Sequence, residues 1–151
     1  MFLLILGYSN IVFAESPKIL GSPEFMEKTN KAIELLQKKD YESYLRVIEA
    51  TQIIEKSLPE NIFGRWDYSK NIYVDYTKIK SYFGRRNAKK VTAIVISHEA
   101  WHYSTINLAY DVNLWEMETL KKSIETAKKI RAQKKLIRAL EYTLKIFENN
   151  T

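Results

Sequence analysis

Cysteine is absent from the 151-residue chain. That absence removes disulfides, thiolate metal sites, cysteine nucleophiles and lipid-modified cysteines together. Any metal must be held by nitrogen and oxygen ligands. Glycine (4) and proline (3) are scarce, which argues against an all-β sandwich or barrel and for long helices. Hydrophobic residues make up 46% and charged residues 28%, values that fit neither a disordered chain nor a membrane bundle. The length supplies one domain and no second full-sized core.

The charge balance is 24 − 18 = +6. Such basicity suits an anionic partner but is also common without one. The basic segments run from Arg85-Arg86 to Lys90 and from Lys121 to Lys135, with Glu118, Glu125 and Glu141 interspersed near the second. They read as solvated helix faces, and no nucleic-acid module accompanies them, so no nucleic-acid partner is expected.

Residues Met1 to Ala14 read MFLLILGYSNIVFA, with no charged side chain. The stretch is too short to span a bilayer comfortably. Val12 and Ala14 have the small-residue spacing of a signal-peptidase site, and Glu15 opens a polar continuation. The expectation is a signal peptide over residues 1–14, export of the mature chain, one domain over 15–151 and no membrane span in it.

Ser22-Pro23-Glu24 is a helix start, with Ser as N-cap and Pro at the first helical position. A second helix begins after Asp40 and carries Tyr41, Tyr44, Leu45, Ile48, Ile53 and Ile54 toward a stop at Pro59. Arg65-Trp66 and Ile72-Tyr73-Val74 flank a polar turn and predict a short hairpin, with Ile72, Val74 and Tyr76 on one side. Gly84 to Asn87 is a break. From Ala88 to Ser104, residues Val91, Ile94, Val95, His98 and His102 share one helix face. Helix-forming residues then run from Asp111 to Asn149, with a break near Arg131 to Lys135. The class expected is α+β, mainly α-helical with a small β hairpin packed near the helix of the histidines.

Those histidines carry the chemistry. His98-Glu99-Ala100-Trp101-His102 is an H-E-x-x-H motif and contains both histidines of the chain. Helical residues four apart lie about 40° apart around the axis and about 6 Å along it, so two imidazoles converge on one cation. Neutral imidazole suits Zn2+. Glu99 leans toward the open coordination position, where it is placed to act as general base on a water acidified by zinc.

No third histidine exists, so a carboxylate must complete the site: Asp111, Glu116 or Glu118. At 100° per residue, the stripe Leu114, Met117, Leu120, Ile124 centres about 60° from Glu116 and about 140° from Glu118. Glu116 therefore ranks first. Asp111 precedes the helix and stays within reach through a loop turn.

With these residues the chain resembles the zincin metallopeptidases, in particular the gluzincin branch. The resemblance rests on His98, Glu99, His102 and Glu116, and covers roughly residues 62 to 120. It implies a zinc-dependent peptidase acting on a peptide or protein substrate. It also implies that the strand Asn71 to Tyr76 is an edge strand along which an extended peptide lies. Two departures stand out. The gap between His102 and Glu116 is short, and Leu120 stands where the branch carries an Asp four residues after the ligand Glu. Tyr103, Tyr110 and Arg85 are near enough in sequence to serve as oxyanion donors, though aromatic packing or surface charge is the better account of each. The competing reading is a non-catalytic exported helical binding module on a zincin-like scaffold. Glu99 argues against it, because a purely structural site has no use for a base.

Overall fold

The computed structural model describes residues 16–149. The expected signal peptide lies outside the described residues. Along the chain run β1 (Lys18–Leu20), α1 (Pro23–Lys39), α2 (Tyr41–Ile48), β2 (Gln52–Glu55), β3 (Gly64–Trp66) and β4 (Asn71–Val74). They are followed by α3 (Tyr76–Phe83), α4 (Arg85–Ser104), a 3-10 turn (Ile106–Leu108), α5 (Val112–Lys129) and α6 (Lys134–Glu148). The class is α+β and mainly helical, with one four-stranded mixed sheet.

The sheet has the order β1-β2-β4-β3. β1, β2 and β4 are parallel, and β3 turns back antiparallel to β4 with Arg65 opposite Tyr73. This corrects two expectations. Ile53 and Ile54 do not continue α2: they belong to β2, paired on both sides. A short apolar run is ambiguous between helix and strand, and here the non-local partners Ile19 and Ile72 decide it. The edge strands are β1 and β3, not the strand beginning at Asn71, which lies between β2 and β3. That strand also stops at Val74. Asp75 then caps α3 by accepting a hydrogen bond from Lys78 N–H (2.9 Å), and Tyr76 is buried in the first turn of the helix.

α4 is the centre of the molecule. It touches α1, α2, α3, α5, β3 and β4. Its buried residues include Ala88, Val91, Ala93, Ile94, Ile96 and Ala100, distributed around the helix rather than along one stripe. Small residues let neighbours approach closely, and each buried Val or Ile contributes about 1.5–3 kcal/mol by leaving water. Gly84 separates α3 from α4 at φ +75°, a left-handed backbone that favours glycine, so α4 starts at Arg85 rather than Ala88.

Asp40 does not cap α2 with its side chain. Its carboxylate instead accepts from Thr126 Oγ1 (2.6 Å) and Lys129 Nζ (2.7 Å), 86 and 89 residues away. Ser43 and Thr126 are 3.0 Å apart, and Trp101 Nε1 donates to Ser43 Oγ (3.1 Å). This closed polar row fastens α2 and the junction before it to α4 and α5. Burial works to raise the Asp40 carboxyl, but the bonds from Lys129, Thr126 and Ser43 outweigh it and hold the group below its usual range. On the outer side, Lys121 pairs with Glu118, Lys122 with Glu125 and Lys128 with Glu141, as a solvated face would.

Candidate metal centre

His98 and His102 leave α4 on the side facing α5, one helical turn apart. Their Nε2 atoms are 3.0 Å apart. Glu116, on the first turns of α5, brings Oε1 to 3.5 Å from His102 Nε2 and Oε2 to 3.8 Å from His98 Nε2. One ligand atom from each of the three residues lies within 4.8 Å of the others. Two nitrogens bound tetrahedrally at about 2.0–2.1 Å lie about 3.3–3.4 Å apart, so the arrangement fits a single zinc-sized ion. The donor set of two imidazoles and a carboxylate suits that ion too.

The other candidates stand elsewhere. Asp111 caps α5, accepting from Leu114 N–H (3.0 Å). Glu118 pairs with Lys121 at 2.6 Å. Of the two glutamates, Glu116 is the one that faces the histidines. Tyr103 donates its hydroxyl to Arg46 O (2.7 Å), facing α2. Tyr110 is exposed, and Arg85 is exposed beside Glu24. None of these three reaches the centre.

Burial drives the His98 imidazole down to about 3, with the neighbouring His102 ring as the second cause. Burial likewise takes His102 down to about 4. Both rings are thus neutral across the physiological range, the state a metal ligand requires. Glu116 is raised by burial.

Glu99 is buried, at 7% exposure, and no Lys or Arg lies within ion-pair distance of it among the described residues. Burial first, and the Glu116 carboxylate second, push it up to about 8, while a hydrogen bond from the Trp66 backbone N–H works against the rise. A buried acid without a cation is costly to keep, and this one sits beside two imidazoles and a second carboxylate.

β3 supplies that backbone N–H. Asp67 N–H donates to Asn71 O (3.0 Å) and Asp75 N–H to Phe63 O (2.9 Å). The ladder to β4 therefore uses the odd positions, and the main-chain groups of Gly64 and Trp66 point off the sheet. Gly64 is required by close approach. A Cβ there would stand 2.5 Å from Val95 Cγ1 and 2.8 Å from Glu99 Oε1. The loop into β3 is held by Lys78, whose ammonium donates to the carbonyls of Leu58, Pro59 and Ile62 at 2.7–2.9 Å.

Two tryptophans missed by the sequence reading frame the centre. Trp115 packs edge-on against the His102 ring at 4.8 Å and donates Nε1–H to His102 O (3.0 Å). Trp66 meets Trp115 at 5.9 Å, linking the edge strand to α5. The centre opens on a cleft of about 760 Å³ whose walls include Phe63, Val95, Leu120, Leu136, Leu140 and Phe147. That size suits a ligand side chain or a small molecule. The last three of these residues show that the final helix, α6, which lies beyond the family resemblance, builds one wall. A 3.6-residue apolar pattern marks α6 as amphipathic but cannot say what its face covers.

No family model, curated protein or solved structure matches the chain.

Proposed function

We propose that the chain is a zinc-dependent metallopeptidase, exported after loss of residues 1–14, that hydrolyses peptide bonds in a peptide or protein substrate. One observation carries the reading: His98, His102 and Glu116 converge in a cleft beside a buried glutamate that no Lys or Arg among the described residues neutralises. Bound there, zinc supplies Lewis acidity and makes a water acidic enough to release its proton near neutral pH. His98 and His102 would hold the ion through Nε2, and Glu116 through a carboxylate oxygen. Glu99, its carboxyl drawn back down by the charge of the bound cation from where burial holds it, would receive the proton and return it to the leaving amine nitrogen. The outward main-chain groups of Gly64 and the outward carbonyl of Trp66, whose N–H is held by Glu99, offer an extended peptide a short strand to lie along. A non-catalytic scaffold has no use for the cost of burying Glu99.

The test begins with zinc in the purified mature chain by elemental mass spectrometry, beside His98→Ala. About one zinc per wild-type chain is expected, and none in the variant. A peptide-library screen then compares wild type with Glu99→Gln. Cleavage is expected to fall roughly 10²–10⁴-fold while zinc is retained. Absence of zinc from the wild type, even after reconstitution at neutral pH, would sink the reading.

A further inference from the structure

Behind the two histidines, on the side away from Glu116, stand two hydroxyls of α5. Ser123 Oγ is 2.9 Å from His98 Nδ1, and Thr119 Oγ1 is 3.4 Å from His102 Nδ1. Both residues are fully buried. The match is one of register. The histidines are four apart on α4 and the hydroxyls four apart on α5, and the helices run antiparallel, so ring meets hydroxyl twice.

Each hydroxyl has one proton to give. Ser123 Oγ gives its proton to Thr119 O (3.0 Å), and Thr119 Oγ1 gives its proton to Trp115 O (3.0 Å). Both oxygens therefore turn a lone pair toward the imidazole, and each imidazole must answer with an N–H. We infer that Thr119 and Ser123 are positioning residues that hold both histidines as Nδ1–H tautomers, leaving both Nε2 lone pairs bare toward Glu116. Two bare nitrogens 3.0 Å apart, with a carboxylate at 3.5 and 3.8 Å, repel one another until a cation enters. A proton shared between two neutral rings would satisfy the same geometry, but it needs one ring protonated on Nε2 alone and so a hydroxyl donating into its Nδ1. The direction of the two hydroxyl bonds opposes that. The pair thus biases the site toward a divalent ion and against a histidine–histidine hydrogen bond.

This role rests on the zinc reading, so the experiment separates the two. Zinc affinity is measured by chelator competition on the full mature chain for wild type, Ser123→Ala, Thr119→Val and Thr119→Ser. Thermal unfolding of each metal-free protein monitors the fold. Ser123→Ala and Thr119→Val are expected to bind zinc about 10–100-fold more weakly, the usual effect of losing such a partner. Thr119→Ser keeps the hydroxyl and is expected to stay near wild type. Wild type without zinc overturns the metal centre and this role with it. Wild type with zinc and undiminished affinity in both hydroxyl-free variants overturns this role alone. Equal loss in Thr119→Ser and Thr119→Val would assign the effect to packing, and also overturns it. Should Thr119→Val fail to fold, Ser123→Ala, the smaller change, decides.

Discussion

The two halves of α5 face different polar rows. Toward its C-terminal end, Thr126 and Lys129 meet Asp40, and Ser43 and Trp101 close the row. Every proton there has an acceptor, and the carboxylate has an ammonium. Toward its N-terminal end, Glu116, Thr119 and Ser123 meet the two histidines. There the hydroxyl protons run back along the helix, and acceptor atoms are left facing one another. Neither Glu99 nor Glu116 has a Lys or Arg partner among the described residues. Both rows join buried hydroxyls to a carboxylate; their charge balance differs. The row that joins helices is balanced within itself; on the proposed function, the other lacks the positive charge that a bound ion would bring.

Removing a member of each row tests the contrast most directly. His102→Ala should cost roughly 3 kcal/mol of zinc affinity, more than a hundredfold, if about 10–16 kcal/mol of binding is shared over four ligands. Titration calorimetry reads this. The same change should leave the stability of the metal-free protein little altered or raised, since it removes a repulsion. Asp40→Ala should do the opposite. It should lower urea-unfolding stability by about 2–4 kcal/mol and leave zinc affinity alone. Its effect carries a pH signature. The folded Asp40 carboxyl lies below its ordinary value, so its contribution is complete above about pH 3.9 and is lost as pH falls below that toward the folded value. The stability gap between wild type and Asp40→Ala should therefore narrow in acid. An unchanged gap down to pH 2 would break the assignment of that row as charge-balanced.

Smaller effects sharpen the boundary of the open row. Gly64→Ala should cost about 1–3 kcal/mol by driving a methyl into Val95 and Glu99, and should slow peptide cleavage without releasing zinc. Urea unfolding and zinc content read the two parts. Glu118→Gln should change stability by no more than about 0.5 kcal/mol and zinc affinity not at all, because its ion pair with Lys121 is partly exposed.

Local pattern carried the parts of this molecule that depend on helical phase. His98 and His102 share a face because four residues nearly complete a turn, and Glu116 is separated from Glu118 by the same geometry. The hairpin at Ser69–Lys70 and the break after α5 were legible from turn and charge composition. What escaped depends on partners far along the chain. Ile53 reads equally as helix or strand until Ile19 and Ile72 flank it. Asp40 looks like a cap until α5 arrives 86 residues later. Nothing in the order of residues says which strand of the hairpin will be outermost. Thr119 and Ser123 could have been found, since they continue the face of Glu116 up the helix, but only once the pairing register of α4 and α5 is known.

β3 has a consequence for how the protein behaves in crowded solution. An open strand edge recruits other strands without discrimination, further copies of the same chain included. This edge is three residues long, about 10 Å. Arg65 stands exposed at its middle, and α4 closes against Gly64 from one side. So short and guarded a segment pairs with a visiting strand over a few hydrogen bonds and no more. Self-association through β3 gains too little to persist, so a partly unpaired backbone edge can stand at the cleft without this strand seeding aggregates.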